Sequence, residues 1–173
     1  MNVVIDIILV LIAAGAVFAT SYFTVKNFLD NESKKRLTEL RQANQSLITP
    51  IRLQAYERVV LFLERISPNS LVMRVHKNGM SALMLQSELI KTIRSEFEHN
   101  LSQQIYMSNN SWQMVITAKE EIIKLVNIAA TKVPETATGL ELAQTILSIS
   151  AQINKMPTQV AVEYIKKEIG QNF

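Results

Sequence analysis

The sequence contains no cysteine, and only four glycines and four prolines among its 173 residues. Without cysteine, the chain can have no disulfide, no thiolate metal ligand and no cysteine nucleophile. Low glycine and proline content argues against a collagen-like chain, a linker-rich chain and a turn-rich β-sandwich. The sequence also lacks a phosphate-binding loop, a dinucleotide fingerprint and a Gly-x-Ser-x-Gly nucleophile turn. We therefore predict no catalytic residue and no cofactor.

A strong excess of one charge is also absent. The 18 basic and 15 acidic residues give a net charge of +3. Residues 42–173 hold 13 basic and 11 acidic residues, a net charge of +2, and the two signs are interspersed. Nucleic-acid-binding proteins usually carry a basic stripe or a recognisable signature, and neither is present. We therefore predict that nucleic acid is not a partner.

The chain does contain a long apolar run at its start. Residues 3–25 read VVIDIILVLIAAGAVFATSYFTV, in which Asp6 is the one charged residue. As a helix this run would span about 34 Å, whereas the hydrocarbon core of a bilayer is about 30 Å thick. Asp6 falls in the first turn, at headgroup level, and Tyr22, Phe23 and Lys26 follow at the other end as interfacial anchors. The run predicts a transmembrane helix.

Two other readings of residues 3–25 are weaker. A cleaved secretory signal has a basic start and an apolar run of only about 7–15 residues. Here no Lys or Arg precedes the run, and the run is longer. Most helices that pack in a soluble domain keep a polar face toward water, whereas this segment is apolar on nearly every face.

Basic residues predict the orientation of this helix. None precedes it, whereas Lys26, Lys34, Lys35, Arg36 and Arg41 follow it closely. Basic residues beside a span stay in the cytoplasm. We therefore predict a single-pass protein of the inner membrane, with its N-terminus outside and its C-terminal domain in the cytoplasm. The first four of these side chains are expected to face anionic lipid headgroups.

Small residues cluster in the middle of the apolar run. Gly15 and Ala19 have the small-xxx-small spacing that lets two membrane helices approach closely. The same spacing occurs in spans that pair with nothing. These two residues are our candidates for packing against a partner helix.

Residues 26–49 form a polar segment that we interpret as a juxtamembrane helix or stalk. Leu37, Leu40, Asn44, Leu47 and Ile51 fall in a–d–a–d–a heptad order. An Asn at an a position fixes the register of parallel two-stranded coiled coils. However, the pattern covers only two heptads and ends near Pro50. A helix that stands off the membrane and packs one edge on the domain is therefore the simpler interpretation.

Residues 50–173 predict a cytoplasmic domain of five to six helices. Proline and N-capping residues separate the apolar stripes, and no convincing strand is present. Thr138 and Glu141 have capping-box spacing. The predicted helices cover about 50–66, 68–76, 81–106, 110–132, 138–155 and 158–169.

One pair of residues is a candidate metal site. Glu96 and His99 are three residues apart on a predicted helix, as in half of a di-iron carboxylate site. A second Glu-x-x-His is missing, because the only other histidine, His76, has Met73 three residues before it. A solvated polar helix face is the simpler interpretation. Similarly, His76 is expected to lie at a helix end, and Trp112 in the core rather than against a partner.

Two stretches carry a family resemblance: QAYERVVLFLERISPNSLVMRV (54–75) and EFEHNLSQQIYMSNNSWQMVITAKEEIIKLVNIAA (96–130). Together with the apolar start, they resemble a family of small membrane-anchored helical proteins of the Bacteroidota that has no assigned activity. The resemblance implies an inner-membrane setting and an all-helical domain. It transfers no catalytic or binding residue to this chain.

These observations lead to three hypotheses of function. The first is a non-enzymatic accessory or scaffolding subunit of a larger membrane complex, with lipid and other membrane subunits as partners. The second is a self-assembling membrane-surface protein that forms a homo-oligomer through the span and residues 37–51. The third is a membrane-tethered metal protein or enzyme that uses Glu96 and His99.

Overall fold

The computed structural model describes residues 2–172, with the side chains of residues 2, 4, 6 and 172 outside that description. The predicted position of the Asp6 carboxylate therefore lies outside the described residues. The described chain is all-α, as predicted, and an isolated bridge between Ser81 and Thr138 is its only β pairing. Its helices are α1 Asn2–Arg65, α2 Pro68–Val75, α3 Ala82–Asn100, the 3-10 helix Leu101–Tyr106, α4 Asn109–Thr131, α5 Gly139–Gln152 and α6 Pro157–Asn172.

Contacts divide the chain into two units, residues 1–48 and 49–173. The first unit is the N-terminal part of α1, and its described side chains are almost all exposed. The second unit holds the rest of α1 and all the later helices. The predicted division between stalk and domain lies one residue further on, at 49/50.

Helix α1 continues through Pro50, and the prediction that a new helix begins there was wrong. Proline lacks the N–H that would donate to the carbonyl of Ser46, and its ring crowds that carbonyl. Both Pro50 and Ser46 are exposed, so the unpaired carbonyl can bind water. The residues on both sides are mostly good helix formers, which favours one continuous helix.

Helices α2, α3 and α5 begin at the proline and capping residues that the sequence indicated. Ser67–Pro68 opens α2, as predicted. The Ser81 hydroxyl accepts from the N–H of Met84 at 3.2 Å and caps α3. The capping box at the start of α5 is confirmed: Thr138 Oγ1 accepts from the N–H of Glu141, and the Glu141 carboxylate accepts from the N–H of Thr138. These contacts satisfy donors that a helix start leaves open.

The predicted helix 81–106 ends as an α-helix at Asn100 and continues as a 3-10 helix. The side chain of Asn100 donates to the carbonyl of Glu96 at 2.8 Å, a local bond of the kind that competes with helical pairing. The tighter 3-10 turn changes which residues face the core. Consequently Leu101 and Ile105, which continue the four-residue spacing of the apolar side chains of α3, are exposed.

The first residues of α3 and α5 lie side by side. The N–H of Ala82 donates to the carbonyl of Ala137 at 2.9 Å, and the N–H of Gly139 donates to the carbonyl of Met80 at 2.7 Å. A Cβ at Gly139 would lie 3.0 Å from that Met80 carbonyl and 3.4 Å from a ring carbon of His76. A side chain at this position would therefore crowd the backbone carbonyl of Met80, which favours glycine.

One hydrophobic core fills the second unit. Helix α4 packs against α3, α5 and α6, and α5 also packs against α2 and α3. At one side of the core, the Phe97 ring stacks on Trp112 with 5.5 Å between ring centroids and lies 5.9 Å from Phe62. Trp112 is 8% exposed, in agreement with its predicted place in the core. The largest fully buried side chains are those of Tyr56, Phe62, Leu63, Ile66, Leu71, Leu85, Leu89, Ile93, Ile122, Leu142, Ile146 and Ile165.

Candidate functional site

The apolar run near the start of α1 is exposed on every side in the described residues. Large side chains such as Ile8, Leu11 and Phe18 leave more than half of their surface uncovered. By length and composition, α1 is the one described helix able to cross a membrane.

The two threonine hydroxyls of this segment are paired within the helix. Thr20 Oγ1 donates to the carbonyl of Ala16 at 2.9 Å, and Thr24 Oγ1 donates to the carbonyl of Thr20 at 2.7 Å. Such bonds let a helix carry hydroxyls without water around them. The hydroxyls of Thr20 and Thr24 therefore need no water as a hydrogen-bond acceptor.

The two candidate packing residues of the span are both accessible. Gly15 and Ala19 are exposed on α1, and a Cβ at Gly15 would meet nothing within 4 Å. Packing within the chain therefore does not require a glycine here. The basic residues Lys26, Lys34, Lys35 and Arg36 lie further along the same helix, where Arg36 pairs with Glu32 at 3.1 Å.

The structure brings the predicted metal ligands to one face of α3 but gives each of them other partners. The carboxylate of Glu96 lies 2.6 Å from Arg65 and 3.4 Å from Arg74. His99 Nδ1 lies 2.7 Å from the carbonyl of Ser95. Together Arg65, Ser95, Glu96 and His99 line an open surface groove.

This groove does not assemble a full set of metal ligands. Among the described residues, no group of three or more His, Cys, Asp or Glu side chains is placed to hold a metal ion. Glu88 also lines the groove, but Lys91 lies 3.7 Å from its carboxylate. Two ligands, one of them already held by arginine, make a poor metal site. Metal binding by Glu96 and His99 stays a prediction.

A polar cluster that the sequence did not reveal is buried inside the second unit. Glu168, in α6, is only 9% exposed, and its carboxylate accepts four hydrogen bonds. Three come from the hydroxyls of Tyr56, Ser108 and Ser111, and the fourth from the N–H of Ser108 at 3.2 Å. This cluster, called here the Glu168 cluster, joins α1, α4 and α6.

The start of α4 favours a negative charge at this point. Ser108 is the N-cap of α4, and its hydroxyl oxygen accepts from the N–H of Ser111 at 3.1 Å. The N-terminus of a helix carries a partial positive charge, which stabilises a nearby carboxylate. Glu168 thus supplies the anion at the end of a helix that has no acidic residue in its own first turn.

Two effects oppose each other at Glu168. Burial raises the pKa of its carboxyl group, but the hydrogen bonds from Ser108, Ser111 and Tyr56 outweigh burial and hold the pKa below its ordinary value. For Tyr56, burial and the bond to Glu168 raise the pKa of the phenol, and the nearby Arg52 partly offsets this rise. At neutral pH the cluster is therefore a carboxylate with neutral hydroxyl donors.

This arrangement is suited to holding helices together rather than to catalysis. A carboxylate with a lowered pKa is a weak base, and four donors occupy its oxygens. The Arg52 guanidinium, at the margin of the cluster, also donates to the carbonyl of Tyr106 at 3.2 Å. We therefore assign the Glu168 cluster to the stability of the second unit.

Sequence reasoning missed this cluster because its members lie far apart along the chain. Tyr56 and Glu168 are separated by 112 positions, and Ser108 and Glu168 by 60. Ser108 could have been identified as an N-cap, because residues 108–111 read SNNS, residue types that favour helix starts. Nothing local indicates which carboxylate will meet it.

Comparison with known proteins gives a family without an assigned function. The model of the family of unknown function DUF7935 matches residues 2–172. No curated protein and no solved structure matches the chain. This family agrees with the resemblance seen in the sequence in having no assigned activity and in covering nearly the whole chain. The bacterial source and the membrane setting that the resemblance implied stay predictions. The match over nearly the whole length makes this chain a member of the family of unknown function DUF7935.

Proposed function

We propose that this protein is a single-pass protein of the inner membrane that acts as a non-enzymatic accessory or scaffolding subunit of a larger membrane complex. One observation carries the proposal: an apolar helix of membrane-spanning length whose large side chains are exposed all round. Burying apolar surface is worth about 25 cal/mol for each Å² removed from water. Side chains such as Phe18, 75% exposed, would be strongly unfavourable in water and are favourable in lipid.

Charge supports a cytoplasmic location for the second unit. Five basic residues follow the apolar run between positions 26 and 41. Retention of basic flanks in the cytoplasm then gives an N-terminus outside and a domain inside. Lys34 and Lys35, on the exposed surface of α1, are close enough in sequence to the span to attract anionic headgroups.

The second unit supports a role in binding rather than in reaction. Among its described residues, the one buried carboxylate is that of Glu168, which accepts four hydrogen bonds from within the domain. Its surface carries both charges, in isolated ion pairs such as Lys155 with Glu163 and Lys124 with Glu121. A tethered, near-neutral helical domain of this kind is suited to holding other subunits at the membrane.

Two measurements test membrane anchoring. Full-length protein should stay in the membrane pellet after alkaline carbonate extraction. Because the chain has no native cysteine, single substitutions Asn2→Cys and Asn154→Cys can report topology. In spheroplasts, an impermeant maleimide should label position 2 and spare position 154 until the membrane is permeabilised. Extraction by carbonate, or the reverse labelling, would refute the proposal.

A native pull-down tests the role in a complex. Solubilised in mild detergent, the full-length protein should co-purify with at least one other membrane protein in near-stoichiometric amount, identified by mass spectrometry. A variant with the span replaced by an unrelated apolar helix of equal length is the matched control for detergent carry-over. Purification of the chain without any other subunit would remove the accessory role while leaving the anchor intact.

A further inference from the structure

We infer that two copies of this chain pair in parallel through one face of α1. The inference rests on the proposed membrane anchoring and deepens it by naming a partner, a second copy of the chain. The face is defined by residues of the first unit alone. It comprises Gly15, Ala19, Leu37, Leu40, Asn44 and Leu47, called here the α1 seam.

Helical geometry places the span residues and the stalk residues of the seam together. Ala19 and Leu37 are separated by about five turns of an α-helix, so their side chains project in the same direction. From Leu37 to Leu47 the a and d positions of the heptad keep to that side. The small residues of the span and the leucines of the stalk therefore share one stripe on a continuous helix.

The seam has no partner within its own unit. Leu37 is 57% exposed and Leu47 is 69% exposed. Gly15 has open space where a side chain would stand, so its small size is not explained by packing within the chain. An approaching helix would use both features, because small residues permit close contact in lipid and leucines are covered by knobs-into-holes packing.

The seam is complementary to itself, which points to a second copy rather than a different protein. Asn44 occupies an a position, and Asn44 is exposed and makes no side-chain hydrogen bond among those of the described residues. At an a position of a parallel pair, two asparagine amides meet and can bond to each other only when the chains are in register. Insertion in the same membrane with the same topology supplies the parallel orientation.

Two heptads are too few to hold a coiled coil in water. Here each helix would also be confined to the bilayer by its span. Confinement makes the second contact effectively intramolecular and raises the local concentration of the stalks. The seam can therefore be short and still pair, provided that the anchor is present.

One pair of like charges opposes the dimer and offers a test of its register. In a parallel in-register pair, Arg36 at a g position of one chain faces Arg41 at an e position of the other. Within its own chain, Glu32 partly offsets the charge of Arg36. Replacing Arg41 by Glu would turn the two repulsive contacts of the dimer into two attractive ones. An unpaired helix has no such contacts, so the substitution would not change its association.

Cysteine cross-linking in native membranes tests the seam. Single substitutions Leu40→Cys, Asn44→Cys and Leu47→Cys should form disulfide dimers readily under mild oxidation. Gln42→Cys and Ser46→Cys, on other sides of the helix, are the matched controls and should cross-link at least about fivefold less, as the heptad spacing requires. Equal cross-linking at all five positions, or a maximum at the controls, would overturn the inference.

A charge substitution tests the register. In the Leu47→Cys background, Arg41→Glu should raise the dimer fraction by about threefold at low salt. Lys35→Glu makes the same charge change at an outward f position and should leave the fraction unchanged. No gain from Arg41→Glu, or an equal gain from both, would reject the parallel in-register pair. Carbonate extraction of the same membranes separates the two ideas, since loss of the chain to the supernatant refutes anchoring, whereas a retained chain with flat cross-linking refutes pairing alone.

Discussion

The hydroxyl of Tyr56 in α1 donates a hydrogen bond to the carboxylate of Glu168 in α6, so that residues 112 positions apart meet inside the second unit. Ser108 and Ser111 complete the contact from the start of α4. A single buried carboxylate thus fixes three helices relative to one another within that unit. Its loss should lower the free energy of unfolding of the second unit.

Glu168→Gln should lower the free energy of unfolding by about 1–3 kcal/mol, because an amide offers one accepting oxygen to donors that now share two. Tyr56→Phe should cost about 1 kcal/mol, since three donors remain on the carboxylate. Urea unfolding of the full-length protein in detergent micelles, followed by the fluorescence of Trp112, measures both. Glu163→Gln, on the exposed side of α6, is the control and should change little. A Glu168→Gln protein as stable as the control would contradict the role assigned to the cluster.

Stability should decrease in acid. Because hydrogen bonds hold the folded pKa of Glu168 below its unfolded value of about 4.3, the carboxylate stabilises the fold above that pH. This contribution is lost as the pH falls through the folded pKa. The urea midpoint should therefore be level between about pH 5 and 7 and fall below about pH 4.

The acid effect can be assigned to its residue by the same substitution. Glu168→Gln removes the titrating group, so its midpoint should depend less on pH than that of the parent. Glu141, whose pKa is also lowered by the N–H and hydroxyl of Thr138, should account for part of the remaining slope. Parallel pH profiles for Glu168→Gln and parent would exclude Glu168 as a source of the acid sensitivity.

Gly139→Ala should destabilise the protein by about 1–3 kcal/mol, the usual cost of forcing a methyl group into a packed site. Its Cβ would lie 3.0 Å from the carbonyl oxygen of Met80, so the pairing between the starts of α3 and α5 would have to shift. Gly170→Ala in α6 is the matched control, because its Cβ would meet open space. Alanine has the higher helix propensity, and Gly170→Ala should therefore be neutral or stabilising by up to about 1 kcal/mol. Equal effects of the two substitutions would argue against the close approach.

The protein should not bind metal tightly through Glu96 and His99. The arginines that hold Glu96 would have to release it before a cation could take their place. Untagged protein exposed to iron, manganese and zinc and then dialysed should contain well under one equivalent by elemental analysis. One equivalent in the parent that Glu96→Gln and His99→Ala abolish would instead establish a site.

The features that could be predicted from the sequence depend on interactions between residues that are close together along the chain. The all-α class and the helix starts at Ser67–Pro68, Ser81 and Thr138 follow from caps and from the 3.6-residue spacing of apolar side chains. Apolar residues recur every four positions from Leu85 to Ile105; Leu85, Leu89, Ile93 and Phe97 pack in or against the core, whereas Leu101 and Ile105 do not. A repeat of four residues cannot reveal that the helix tightens after Asn100.

The sequence by itself determined the apolar run, its basic flank and the local starts of the helices, because hydropathy, charge and capping act between residues within a few turns. Only the tertiary structure decided that Glu96 is held by Arg65 and Arg74, and that Glu168 meets Tyr56, Ser108 and Ser111. These outcomes depend on which distant groups reach one another when the core closes. The partner of a buried charge is fixed by packing in three dimensions, and no short stretch of chain contains that information.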